Sequence, residues 1–224
     1  QVGVMLFSIA RISAENFGTN GWVVLLILSL LVMGNILLFR LVFRHHPNKS
    51  IFDIAESVIW KPILYPVYAG ITLVFAVLAS LIGKQYILLL QMVAFPTTPP
   101  MAFKFVFDLL ALLLLLKGIY NISKASTVFF FLTIWLLLSF LFHLHEFEWA
   151  RMTAFLFQDG NDQLIGGSVE LWIAFLGYEI ALFLVPFAER TGKMFKAVLI
   201  GNAMTTVIYL MICIVSFGFF PSAN

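Results

Sequence analysis

The chain has 224 residues, 62% of them apolar and only 11% charged, with a mean hydropathy of +1.04. A soluble domain carries about a quarter charged residues, so the surplus of Leu, Phe, Ile and Val must face lipid rather than water. A net charge of +2, with no basic cluster interleaved with aromatics, excludes a nucleic-acid surface, and a single cysteine, Cys213, excludes an internal disulfide framework and a cysteine metal site.

Crossing the hydrocarbon core takes roughly 20 predominantly apolar residues. The chain opens in apolar sequence at Gln1-Val2-Gly3-Val4, without an initiator methionine, as a piece that begins inside a helix would. Residues 2–14 form an apolar stretch too short to span alone. Full spans are predicted over 21–43, over 62–83 with an apolar tail to Phe95, and over 101–119, 122–144, 168–188 and 195–219. The run Pro96-Thr97-Thr98-Pro99-Pro100 separates two of them as a strong helix breaker. The whole, 1–224, reads as one all-α transmembrane domain. Between the first two full spans, Ser50–Ile59 differs in character. Ile51, Ile54, Ala55 and Val58 share one face, Asp53 and Glu56 the other, and Ser50 followed by Asp53 has capping-box spacing. That pattern predicts a short amphipathic helix over 50–59 lying in the membrane interface, a reading that differs little from an ordinary loop helix.

The basic residues set an orientation. Arg40, Arg44, Lys49, Lys61, Lys117, Lys124, Arg190, Lys193 and Lys196 fall on one side, and Arg11, Lys84, Lys104 and Arg151 on the other. Nine against four places the 40–61, 117–124 and 190–196 loops in the cytoplasm.

Irregular backbone at membrane depth is tolerated only beside protein or a watery cavity. Two places carry the residues for such a break. One is Gln1-Val2-Gly3-Val4-Met5, where 2–14 would be the outer half of a split helix. The other is Phe175-Leu176-Gly177-Tyr178-Glu179, with Pro186 about two turns on. Gly177 permits unwinding and Pro186 removes a donor. Glu179 puts a carboxylate near mid-span, where a charge costs at least ~2.5 kcal/mol and so faces a cavity or a partner. Its functional reading is a ligand-amine contact or a protonatable switch. The alternative is a protonated structural acid bonded to a neighbouring helix. Asp108 has Lys104 one turn earlier and reads as half of a local ion pair. His143, His145, Glu146 and Glu148 have metal-like spacing, but they sit at a membrane exit beside Trp149, where amphipathic residues are routine. No nucleophile elbow, phosphate loop, zinc helix or catalytic dyad appears, and nothing argues for an enzyme or a cofactor.

The stretch Gly3-Val4, Arg11, Ala14-Glu15 and Gly18-Thr19-Asn20-Gly21-Trp22 resembles the start of the GerAB-like spore germination permeases. These are the B subunits of bacterial spore germinant receptors, within the amino acid/polyamine/organocation superfamily. Phe175-Leu176-Gly177-Tyr178-Glu179-Ile180 with Leu182-Phe183-Leu184-Val185-Pro186-Phe187 is similar to that family's sixth-helix signature, and Thr98-Pro99-Pro100 and Lys117-Gly118 sit where the family would place them. The likeness covers essentially the whole chain. It departs where the family carries a second glycine and then a proline in its first helix, positions held here by Met5 and Ala10, which bears on how a small ligand fits beside Met5.

The resemblance implies a LeuT-like fold of about ten helices in two inverted repeats, with the first and sixth broken near the midplane, and this chain would hold the first seven. It implies a multi-pass protein of the spore inner membrane that works with the A and C subunits of the receptor. Its ligand would be a small germinant, an amino acid, bound by Gly3, Val4 and Met5 together with Phe175, Gly177, Tyr178 and Glu179, with Tyr68 covering the site. Plain packing is the alternative for Tyr68. The competing functional reading is a proton-coupled amino acid transporter with Glu179 as the proton carrier, and a non-binding scaffold is the third.

Overall fold

In the computed structural model, residues 4–46, 49–93, 96–134, 164–188 and 191–219 are described, and among them there are helices and turns but no strand. The helices are α1 (Ile9–Phe17), α2 (Gly21–His45), α3 (Ile51–Val58), α4 (Lys61–Val93), α5 (Pro100–Leu116), α6 (Ile119–Ile134), α7 (Leu164–Ile173), α8 (Ile180–Leu184) and α9 (Thr191–Phe219). Short 3₁₀ turns cover Val4–Phe7, Gly18–Asn20 and Val185–Phe187. Among the described residues, three helices are long and apolar enough to cross a membrane: Gly21–His45, Lys61–Met92 and Thr191–Gly218. At 1.5 Å per residue each exceeds the ~30 Å hydrocarbon thickness.

The described residues within Gln1–Val58 and Leu136–Asn224 form one compact unit and those within Ile59–Trp135 a second. The first unit is built on α2 and α9, which pack along each other, with α1 against α9 and α7. On α2 the buried face is Gly21, Val24, Leu25, Leu28, Ser29, Val32, Ile36 and Phe43, spaced by threes and fours as one stripe of a helix. Its other face carries Leu30, 66% exposed, and Leu38, 59% exposed. A water-facing helix would put charges there; leucine marks a lipid-facing surface. The core is completed by Leu6, Ile9, Ile12 and Phe17 before and within α1, by Leu171, Phe175 and Tyr178, and by Phe195, Tyr209, Ile212 and Cys213 of α9.

Close approach of α1 and α7 depends on Gly167, because a Cβ there would stand 2.5 Å from Cβ of Asn16. Asn16 is itself fixed, donating from Nδ2 to the Ile12 carbonyl at 2.9 Å. Helix α3 begins with the reciprocal bonds of a capping box: the Ser50 N–H donates to Asp53 Oδ2 at 2.9 Å and the Asp53 N–H to Ser50 Oγ at 3.0 Å. Ile51 and Ile54 pack on the core of the unit, and the Phe52 ring lies 5.6 Å from that of Phe183 in α8.

In the second unit, α4 runs unbroken through Lys84 and Gln85 to Val93, with Pro66 inside it. Gln91 Nε2 donates to the Thr98 carbonyl at 2.9 Å, Pro100 opens α5, and Tyr86 stacks on Phe107 at 6.4 Å. Helix α5 ends where Gly118 takes φ +79 and its N–H bonds back to Leu115, a left-handed cap that favours glycine. Lys104 Nζ meets Asp108 Oδ2 at 2.8 Å, the local ion pair expected of that spacing. His143, His145, Glu146 and Glu148 lie outside the described residues, and among the described ones no cluster of three or more His, Cys, Asp or Glu could hold a metal.

Two outcomes follow from these contacts. Gly167→Ala should destabilise the protein by about 1–3 kcal/mol through overpacking, and Asn16→Gly in the same chain should recover part of that loss, read as thermal unfolding of single and double variants. Hydrogen bonding from Ser50, its backbone N–H first and its side chain second, holds the Asp53 carboxyl below its ordinary range. The stabilisation it gives is therefore fully present above the unfolded-state value near pH 4 and is lost as pH falls through the lower folded-state value. Amide-exchange protection of α3 should stay flat from neutral pH to about pH 4 and fall below it, and Asp53→Asn should remove that dependence.

Candidate ligand site at an interrupted helix

Helix α7 stops at Ile173 and helical winding resumes at Ile180. Across the gap the backbone bonds close three residues back instead of four. Ala174, Phe175 and Leu176 donate to Leu171, Trp172 and Ile173 at 3.2, 2.9 and 3.1 Å, and Ile180, Ala181 and Leu182 donate to Gly177, Tyr178 and Glu179 at 3.4, 3.1 and 2.9 Å. In the middle Gly177 takes φ +114, a conformation L side chains avoid. After only five residues α8 gives way to the turn that contains Pro186, which has no N–H to continue the helix, and the chain is extended at Ala188.

Two of the groups released by the gap, the Ala174 carbonyl and the Gly177 N–H, find side-chain partners, and a third bond fixes the Tyr178 ring. Tyr209 of α9, fully buried, donates its hydroxyl to the Ala174 carbonyl at 3.0 Å, and its ring meets Phe175 edge-on at 5.6 Å. Asn35 Nδ2 of α2 donates to the Tyr178 hydroxyl at 3.1 Å, and Tyr178 stacks on Phe39 at 5.9 Å. The Gly177 N–H donates to Glu179 Oε2 at 2.7 Å, so the half-buried Glu179 carboxylate is engaged in the turn it follows.

A second polar cluster braces the helices that carry these partners. Asn202 Nδ2 lies 3.4 Å from both the carbonyl and Oγ of Ser29, Ser29 Oγ is 2.5 Å from Thr206 Oγ1, and Thr206 Oγ1 donates to the Asn202 carbonyl at 2.8 Å. Hydrogen positions then follow from the inventory of donors. Thr206 spends its proton on Asn202, so Ser29 donates to Thr206 and accepts from Asn202, and the ring closes. All three residues are buried.

Of the residues singled out from sequence, Gly3 lies outside the described ones. Val4 and Met5 fall in the 3₁₀ turn Val4–Phe7. Met5 is half-buried against the core, its carbonyl accepts from the Ser8 N–H at 3.1 Å and its sulfur from Ser8 Oγ at 3.6 Å. Phe175 and Tyr178 share that core, while Gly177 and Glu179 meet through their hydrogen bond. The Phe175 side chain is fully buried in that core. Tyr68 sits on α4 in the second unit, its carbonyl accepting from Thr72 Oγ1 at 2.8 Å. Asn35 and Tyr209 were missed by sequence reasoning. The signal was present in each case, a polar group inside an apolar span, which has to find a partner.

A family model described as "Spore germination protein" matches residues 1–223. Spore germination protein B2 of Bacillus subtilis (strain 168) is 26% identical to this chain over 223 residues, covering 97% of this chain and 59% of that protein. The chain thus spans about three-fifths of the length of that relative. No solved structure matches it significantly.

The closed ring between α2 and α9 gives a direct expectation. Thr206→Val keeps the shape, removes the donor to Asn202 and leaves Ser29 without its acceptor. With two bonds lost at about 0.6 kcal/mol each, it should cost about 1 kcal/mol, read as a lower unfolding midpoint in detergent.

Proposed function

The chain belongs to the spore germination protein family, and from that premise we propose that it is a membrane-embedded nutrient-receptor subunit that binds a small amino acid at segment 174–179. Val4 and Met5, in the turn Val4–Phe7, are on this reading further ligand contacts. In this reading the fold is LeuT-like and multi-pass, the gap between α7 and α8 is the split of its sixth helix, and the protein sits in the spore inner membrane beside the A and C subunits of its receptor. Binding shifts the balance between conformations of the split segment and so signals to those subunits.

One observation carries the reading: peptide groups are turned out of helical register within an apolar segment, at a glycine with φ +114, beside a carboxylate. Such groups complement a zwitterion. Backbone N–H groups at a half-helix start favour the ligand carboxylate, while carbonyls and Glu179 favour its ammonium. Glu179 has to divide its charge between the Gly177 N–H and the ammonium, which suits reversible rather than tight binding. Engagement of the carboxylate within its own turn favours a sensing role over that of a proton carrier.

A screen of amino acids against the full-length protein in nanodiscs should find at least one that raises the unfolding midpoint, by an amount corresponding to about 2.7 kcal/mol at a concentration a hundredfold above Kd. Glu179→Gln should abolish that shift without lowering the ligand-free midpoint comparably. Lack of stabilisation by any amino acid would sink the binding reading. Sustained gradient-driven uptake in proteoliposomes would instead establish a transporter.

A further inference from the structure

Nothing in segment 174–179 itself prevents it from winding into continuous α-helix. The Ala174 carbonyl would accept from the Tyr178 N–H four residues on, and Gly177 passes between φ +114 and helical values without steric penalty. The Gly177–Glu179 bond is local and would be exchanged for a helical one. Two contacts from outside the segment oppose rewinding. The Tyr209 hydroxyl, at 3.0 Å, satisfies the carbonyl that would otherwise need the helical bond, and so removes most of the gain from rewinding. Asn35 holds the Tyr178 hydroxyl at 3.1 Å, fixing the side chain of the residue whose N–H would make that bond. These donors come from α9 and α2, the two helices that the Ser29–Thr206–Asn202 ring ties together. Their positions are therefore fixed independently of the segment.

We propose that Tyr209 and Asn35 are positioning residues that hold segment 174–179 unwound and thereby keep its peptide groups available to a ligand. The inference rests on the proposed binding reading only in naming that segment the ligand site. The clamp itself exists without ligand. It makes the segment a two-state element: bonded to its neighbours it is open, and released from them it closes into helix.

Hydrogen–deuterium exchange of the ligand-free full-length protein in nanodiscs tests the clamp. General loss of packing speeds amide exchange, whereas rewinding slows it, so the sign of the change identifies the cause. In Tyr209→Phe and in Asn35→Leu, peptides covering 174–180 should exchange about tenfold more slowly than in the wild type. Slowing in either clamp variant that folds supports the proposal, and unchanged or faster exchange in every one that folds overturns it. Slowing combined with no amino acid-dependent stabilisation of the wild type would leave the clamp standing and remove only the ligand-site reading.

Discussion

The organising constraint of this molecule is that a peptide group in lipid has no water to turn to. An unpaired backbone carbonyl or N–H in hydrocarbon costs several kcal/mol, so a helix can be interrupted within an apolar segment only if the protein provides every missing partner. Here the Tyr209 hydroxyl replaces one lost bond, at the Ala174 carbonyl, and the Glu179 carboxylate replaces another, at the Gly177 N–H. The interruption is thus a property of three elements together. Gly177 makes it possible, and α9 and α2 make it affordable. Their own placement is what the rest of the first unit serves to fix.

That placement is held more by shape than by polarity. Hydrogen bonds between membrane helices average well under the desolvation penalty they avert, about 0.6 kcal/mol each, so the Ser29–Thr206–Asn202 ring sets register better than it supplies stability. Close packing has to do the rest. The stripe of Val24, Leu25, Leu28, Val32 and Ile36 against α9, and the contact of Gly167 with Asn16, bring backbones near enough for dispersion to accumulate. Leucines on the outer face of α2 add nothing to this, since lipid tails solvate them as well as another helix would. Buried polar side chains then select one register of α2 on α9 from several that shape alone would allow.

Much of this was legible in the sequence because it is local. Composition alone identifies a helical, lipid-facing chain; Ser50 and Asp53 announce the cap of α3 three residues apart; Lys104 and Asp108 announce their pair four apart; and glycine with proline marks where winding is weak between 175 and 187. The family too was readable from motifs spread along the chain. What the sequence withheld is long-range. Asn35 and Tyr178 are 143 residues apart, and Tyr209 and Ala174 are 35 apart. No periodicity links such pairs; only packing reveals them. Phe175 shows the limit from the other side. Its place in a motif does not say what its ring packs on, and the ring lies buried, edge-on to Tyr209 of α9. Polar residues inside apolar spans were the better guide, because each one in hydrocarbon implies a partner even when the partner cannot be named.

The chemistry of the gap also bears on why such a fold would suit sensing. A ligand moves a conformational equilibrium only by its difference in affinity for the two states. Wound and unwound forms of segment 174–179 differ in the groups a zwitterion would meet, since winding returns to helical bonds the Ala174 carbonyl and the Gly177 N–H, which Tyr209 and Glu179 hold in the unwound form. Differential affinity is therefore built into the backbone and needs no large pocket to generate it. The response then has a direct mechanical route: α8 continues from the segment, and Phe183 of α8 lies against Phe52 of α3, the short capped helix between α2 and α4. On the proposed reading a change in winding at Gly177 would rotate α8, and α3 is the element that contact would move first. On the proposed reading, the interfacial helix is where binding inside the membrane becomes a change at its surface.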